Sequence, residues 1–197
     1  MDIKLFGKWD TREVVVRDAG LKRYINLRPV FLPRSFGRVQ YKRFGKSELN
    51  IVERLVNKIG VSGHRGKEHK FTSGRNVGKS MKAMNVVKRA FEIIEERTKR
   101  NPIQVLVEAI ENSAPREEIT VIEHGGIRHP KAVDTSPQRR VDLALRWITQ
   151  GANQRAIKNK KRIEEALAEE IIAASRNEKC FSVSKKIEME RQAAASR

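Results

Sequence analysis

The sequence predicts a mainly α protein: a bundle of about six helices with a protruding two-stranded β-hairpin and a basic N-terminal extension. Three observations lead there. Apolar residues recur at three- and four-residue spacing through most of the chain after residue 46. That periodicity breaks between Glu117 and Asp134, where a period-two pattern takes over. The first 46 residues hold twelve Lys or Arg against four acids, and Pro29, Pro33 and Gly37 interrupt any long element there. The chain accordingly divides into an extension, residues 1–46, and a helical domain, residues 47–197, that includes the hairpin at 117–134.

In the extension, Val14-Val15-Val16 and Tyr24-Ile25-Asn26-Leu27 could form short strands. Arg34, Arg38, Lys42 and Arg43 are interleaved with Phe36, Tyr41 and Phe44. Such a pattern suits RNA, because arginine pairs with phosphate and the rings can stack on unpaired bases. The ordinary use of Phe6 and Trp9 is to pin the extension onto the core.

The first helix is expected from Ser47 as N-cap to Gly60 as stop, with Leu49, Val52, Leu55, Val56 and Ile59 on one stripe. Residues 60–78 read as a glycine-rich basic loop, disordered or ordered by RNA. A helix follows from about Lys79 to Thr98, burying Met84, Val87, Phe91 and Ile94. Asn101-Pro102-Ile103-Gln104 predicts the next start, with a cap, a first-turn proline and a Gln placed to close a capping box. Ala114-Pro115 ends that helix.

The hairpin follows. Ile119 and Val121 share a face, Gly125-Gly126 supplies the reversal, and Ile127 opens a return limb carrying Arg128, His129 and Lys131. Pro130 cannot donate to a ladder bond, so the return limb needs a free edge. Ser136-Pro137 starts another helix with Val141, Leu145 and Ile148 buried, leaving Arg139, Arg140 and Arg146 to point elsewhere. After Gly151, residues 152–162 carry Arg155, Lys158, Lys160, Lys161 and Arg162 without an acid, and read as a phosphate contact. An amphipathic helix from Arg162 to Arg176 should place Glu164, Glu165, Glu169 and Glu170 on its solvated or basic-facing side. Ser184 is the expected cap of a last helix to about Ala195.

Composition bounds the function. Of 197 residues, 42 are Lys or Arg and 24 Asp or Glu, a net charge of +18, while only 39% are hydrophobic. Self-repulsion on this scale calls for a polyanion, and nucleic acid is the usual one. The chain has no apolar run of about 18 residues and no charged-then-apolar opening, so the expectation is neither transmembrane nor secreted. A single cysteine, Cys180, excludes an internal disulfide and fits a reducing, cytosolic setting.

Chemistry is sparse. Gly74-Arg75-Asn76-Val77-Gly78-Lys79-Ser80 approaches a nucleotide-binding loop, but Ser73 stands where the first glycine belongs and no apolar strand precedes it. What survives is a generic phosphate site at a helix start, with Lys79 and Lys82. His64 with His69 and His124 with His129 lack an accompanying Cys or carboxylate at ligand spacing, so metal binding is not expected. No cofactor and no catalysis are expected. The alternative to RNA is a nucleoid-type DNA-binding protein using helix-turn-helix units. Against it, Ile103–Ser113 carries only the acidic charges Glu108 and Glu111.

Five segments together carry a family resemblance: Leu5-Phe6-Gly7-Lys8-Trp9, Ile51-Val52-Glu53-Arg54-Leu55, Ala90-Phe91-Glu92-Ile93-Ile94, Asn101-Pro102-Ile103-Gln104-Val105-Leu106-Val107 and Ser136-Pro137-Gln138-Arg139-Arg140-Val141. The chain resembles the universal small-subunit ribosomal protein seven family in its archaeal and eukaryotic form, over most of its length. The resemblance implies a structural constituent of the small ribosomal subunit that binds the 3′ major, or head, domain of its rRNA and helps nucleate head assembly. With the basic segments read above, the expected rRNA contacts are Arg34, Arg38, Lys42, Arg43, Lys46, Lys79, Lys82, Arg139, Arg140, Arg146, Arg155, Lys158, Lys160 and Lys161. The resemblance also implies that the hairpin tip, His124, Gly125, Gly126, Ile127, Arg128 and His129, lies near the exit-site tRNA and the mRNA exit path, close to ribosomal proteins eleven and nine.

Overall fold

A computed structural model describes residues 3–39, 41–63, 78–157 and 159–197. Among them are seven α-helices, one 3-10 turn and one two-stranded antiparallel ribbon: α1 (Ala19–Lys22), the turn Gly45–Glu48, α2 (Ile51–Ile59), α3 (Ser80–Thr98), α4 (Pro102–Ser113), β1 (Glu117–His124), β2 (Ile127–Asp134), α5 (Pro137–Ala156), α6 (Ile163–Ser175) and α7 (Phe181–Ala195). Residues 64–77, most of the glycine-rich loop with His64 and His69, lie outside the described residues.

Helix α6 is the axis of the bundle. Its buried positions are Ala166, Leu167, Ala168, Glu170, Ile171 and Ala174, and the small side chains let α3, α4 and α5 crowd around it. Helix α2 closes one end against α3 and α5, while α7 lies across α5 and the base of the ribbon. The core also takes in Leu5, Trp9, Val14, Leu21 and Ile25 from the first residues. Trp9 meets the Phe91 ring edge-on at 5.6 Å and donates its indole N–H to Glu95 at 2.9 Å. The Val14 and Tyr24 segments form no strand; the described residues before α2 hold only isolated bridges, Leu5 with Trp9 and Asn26 with Asn50.

Several ends differ from expectation for local reasons. Asn50, not Ser47, caps α2, its carboxamide oxygen accepting from Val52 N at 2.9 Å. Asn101 and Pro102 start α4 as expected, but Gln104 closes no capping box. Its side chain pairs with the Val15 backbone instead, accepting at 2.9 Å and donating at 3.2 Å, and so ties down the first residues. Ser136 makes no side-chain cap bond. Helix α5 runs through Gly151 for one more turn, and α6 and α7 approach it so closely that a Cβ there would sit 2.8 Å from Cδ of Glu170. Glu170 is therefore not solvated. It is 0% exposed and accepts from Ser182 N and Oγ at 2.9 and 3.0 Å. These bonds hold the first turn of α7, which begins at Phe181 after a buried Cys180 and needs no cap from Ser184.

The ribbon pairs in full register from Glu117 opposite Asp134 to His124 opposite Ile127. Gly125 and Gly126 both have positive φ, 58° and 78°, which a two-residue type I′ reversal demands. Pro130 faces Val121, and among the described residues no third strand lies beside it. At the base, Arg139 grips Glu118 through two donors at 2.7 Å, Arg197 pairs with Glu117, and Arg116 N donates to Glu190 at 2.9 Å. Beyond Thr120 the ribbon stands clear of the body, and Val121, Ile122 and Ile127 are exposed.

Candidate nucleic-acid interface

Cations concentrate on the loop between Pro33 and Lys46, which leaves the core after Val30 and returns at α2. Pro33 is buried and anchors it, whereas Arg34, Arg38, Lys42 and Arg43 are exposed. The aromatic rings between them do not tuck inward: Phe36, Tyr41 and Phe44 are 73%, 81% and 57% exposed. Arg34 lies 4.5 Å over the Phe36 ring, Arg43 5.3 Å over Phe44, and Lys42 5.9 Å over Tyr41. Guanidinium groups lying over solvent-facing rings form a surface that suits both phosphate and base faces. Among the described residues no acid pairs with Arg34, Arg38 or Arg43, while Lys42 shares Glu48 at 3.8 Å.

Beneath this loop lies a charge node that periodicity does not reveal. Asp142 on α5 accepts from Lys46 Nζ at 2.7 Å and from Arg54 Nη2 at 3.2 Å. Arg54 also donates to the Tyr24 carbonyl at 2.9 Å and is only 2% exposed. Burial alone would raise the Asp142 pKa, but the Lys46 hydrogen bond and the Arg54 charge outweigh it and hold the carboxyl below its usual range. Burial also lowers the Arg54 pKa and that of half-buried Lys58, which Lys46 and Arg146 crowd with like charge. In the sequence neither Arg54 nor Lys58 stands out as part of this charge node. No local signal could have found them, because their partner Asp142 lies 88 residues from Arg54 along the chain.

The other expected cations divide by partner. Lys79 and Arg146 are exposed with no acid partner among the described residues, as is Lys160. Lys82 is exposed on the first turn of α3. Arg139 is held by Glu118, and Arg140 by Asp18 at 2.9 Å and the Pro115 carbonyl at 3.1 Å. Arg140 is therefore held within the fold, whereas Arg139 stays exposed while it pairs. Arg155 meets Glu170 at 3.1 Å, and Lys161 bonds both oxygens of Glu169 at 2.9 Å. Lys158 lies outside the described residues. Loop 33–46, Lys58, Ser80 and Gln138 converge on one cleft, whereas Lys160 and Lys161 lie far along the chain between α5 and α6.

At the ribbon tip, Arg128 lies 3.5 Å from Glu123 across the strands, and Gly125, Gly126, Ile127 and His129 are exposed. Among the described residues no group of three or more His, Cys, Asp and Glu is placed to hold a metal, and no helix is long and apolar enough to cross a membrane. Helix α4, the natural recognition helix of a DNA-binding reading, is encased: Pro102, Ile103, Val105 to Ile110 and Ser113 are buried. It has no face to lay in a groove.

Comparison with known proteins agrees with the geometry. The family described as ribosomal protein S7p/S5e matches residues 21–197. The chain is 54% identical over 198 residues to the small ribosomal subunit protein uS7 of Nanoarchaeum equitans, covering all of both chains. It is 51% identical over 195 residues to the protein of the same name from Methanococcoides burtonii, covering 98% of this chain and 99% of that one. The chain belongs to the ribosomal protein S7p/S5e family and is a structural, non-enzymatic constituent of the small ribosomal subunit.

Proposed function

We propose that the chain binds the 3′ major domain of small-subunit rRNA through the loop 33–46 and the adjoining surface, and that this binding helps nucleate the subunit head. The observation that carries the reading is the loop itself, where Arg34, Arg38 and Arg43 have no acid partner among the described residues and three aromatic rings face solvent. Lys79, Lys82, Arg146, Lys158 and Lys160 extend the footprint to neighbouring strands. Lys42, Lys46, Arg139, Arg155 and Lys161 share their charge with acids and contribute less each, because an RNA phosphate must compete with a carboxylate already in place. Arg140 acts from inside the fold by fixing α5 to the first residues. Distributed cations of this kind recognise the shape of a folded junction through phosphates and 2′-hydroxyls.

The ribbon tip has a different job in this reading. An arm anchored at its base and bare at its end reaches toward the exit-site tRNA and the mRNA exit path, in the neighbourhood of ribosomal proteins eleven and nine. The test is equilibrium binding to a head-domain rRNA fragment and to an unrelated folded RNA of equal length at matched salt. Tighter binding to the head fragment is expected. Equal affinities would defeat the specific-assembly reading.

A further inference from the structure

Helices α2 and α5 pack against each other, and each carries a single acid. Glu53 of α2 accepts from Ser35 N and Oγ at 2.8 and 2.7 Å. Asp142 of α5 has both carboxylate oxygens taken, Oδ2 by Lys46 and Oδ1 by Arg54. One turn further along each helix, at the spacing that keeps residues on one face, stand Lys58 and Arg146. Among the described residues neither side chain has a hydrogen-bond or ion-pair partner. Burial, then Lys46, and then Arg146 and Arg54 hold the Lys58 pKa below the usual lysine value, with only Asp142 pulling the other way. Four cations thus share one carboxylate. Lys58 is half-buried rather than sealed and Arg146 is exposed, so both can be met from solvent.

We propose that Lys58 and Arg146 clamp one backbone phosphate of the bound RNA, which supplies the second anion that this cluster lacks. The inference rests on the RNA-binding function proposed above and adds Lys58, with Arg146 as its partner, as the pair that holds a single phosphate. A phosphate can accept from an ammonium and a guanidinium at once, as the Asp142 carboxylate does one turn earlier from Lys46 and Arg54. Lys46 lies at the end of the loop 33–46, so the site continues the surface already assigned to RNA. In the free chain the Lys58 ammonium is disfavoured by burial and by like charge, and an anion beside it offsets both.

The test measures binding of the full chain to the head-domain rRNA fragment by fluorescence anisotropy across a salt series, beside melts of the free protein. Lys58→Gln should weaken binding about tenfold, the lower end for a hydrogen bond to a charged group. The same variant should raise the Tm of the free chain, because a crowded cation is gone. Lys58→Arg keeps the charge and should retain most of the affinity. Lys58→Gln made together with Arg146→Gln should flatten the log–log salt slope by about 0.9, the share of one phosphate. A flattening near about 1.8 would give each cation its own phosphate and overturns the clamp. Unchanged affinity in Lys58→Gln overturns the site and leaves the pair to an acidic protein surface, and a lowered Tm overturns it by making Lys58 a packing residue. In all three outcomes the unaltered chain still binds the fragment. If it does not, the RNA-binding reading falls, and this site with it.

Discussion

Replacing Gly151 by alanine sets two opposed effects against each other. Alanine is the better helix former by about 1 kcal/mol, and Gly151 lies well inside α5. Its new Cβ, however, would fall 2.8 Å from Cδ and 2.9 Å from Oε1 of Glu170, and 2.9 Å from Cβ of Phe181. None of these atoms can retreat freely. Glu170 is held by Ser182 and Arg155, and Phe181 Cβ is the root of α7. Overpacking costs about 1–3 kcal/mol, and loosening a hydrogen bond to a buried charge costs about 1.5–3 more. Less the helix-propensity gain, the net is a loss of about 1.5–5 kcal/mol. A central loss of about 3 kcal/mol lowers the Tm of a chain this size by about 6–12 °C. The assay is a circular-dichroism melt in about 0.5 M salt, which screens self-repulsion to a few ångströms. Most of the loss should reappear as coupling when Gly151→Ala is made together with Glu170→Ala, which vacates the space. An unchanged or raised Tm for Gly151→Ala would show that α7 is not pressed on α5 and would refute the reasoning.

Asp142→Asn should destabilise by about 3–5 kcal/mol at neutral pH, because Arg54 then lies buried beside a neutral partner. The folded-state carboxyl titrates below its usual value, so its contribution is present above about pH 4 and is lost as pH falls through the folded pKa. Melts of the two proteins should therefore converge in acid; a gap that persists there would contradict the pairing. Arg38→Ala with Arg43→Ala should flatten the log–log salt dependence of rRNA binding by at most about 1.8 units and leave the Tm unchanged, whereas Arg140→Ala should lower the Tm and leave the slope nearly intact. The opposite pattern in titrations and melts would reverse these assignments. Deleting residues 123–131 should spare incorporation into subunits and alter exit-site tRNA binding. Failure of such subunits to assemble, seen by sedimentation, would make the ribbon an anchor.

The ribbon was legible almost to the residue because its signals are local. Gly125-Gly126 supplies two positive φ values and Pro130 needs an edge, whatever the rest of the chain does. The helices were legible for the same reason, since Asn101-Pro102 and the apolar stripes act within one or two turns. The misplaced ends, Ser47 for Asn50 and Ser184 for Cys180, were choices between neighbours in which a contact from elsewhere decided. Asn50 is held by the Arg28 carbonyl at 2.9 Å, and the α7 start by Glu170 twelve residues earlier.

The candidate interface divides along the same line. Sequence alone determined that the chain is a strongly cationic helical protein with basic and aromatic residues interleaved in one loop, because composition and spacing are properties of the chain itself. Only the tertiary structure decided which cations remain without a counter-charge. Arg140 meets Asp18 across 122 residues, Arg54 and Lys46 meet Asp142 across 88 and 96, and Glu170 lies under Arg155. An ion pair depends on separation in space, and packing sets that separation between residues whose distance along the chain carries no trace of it.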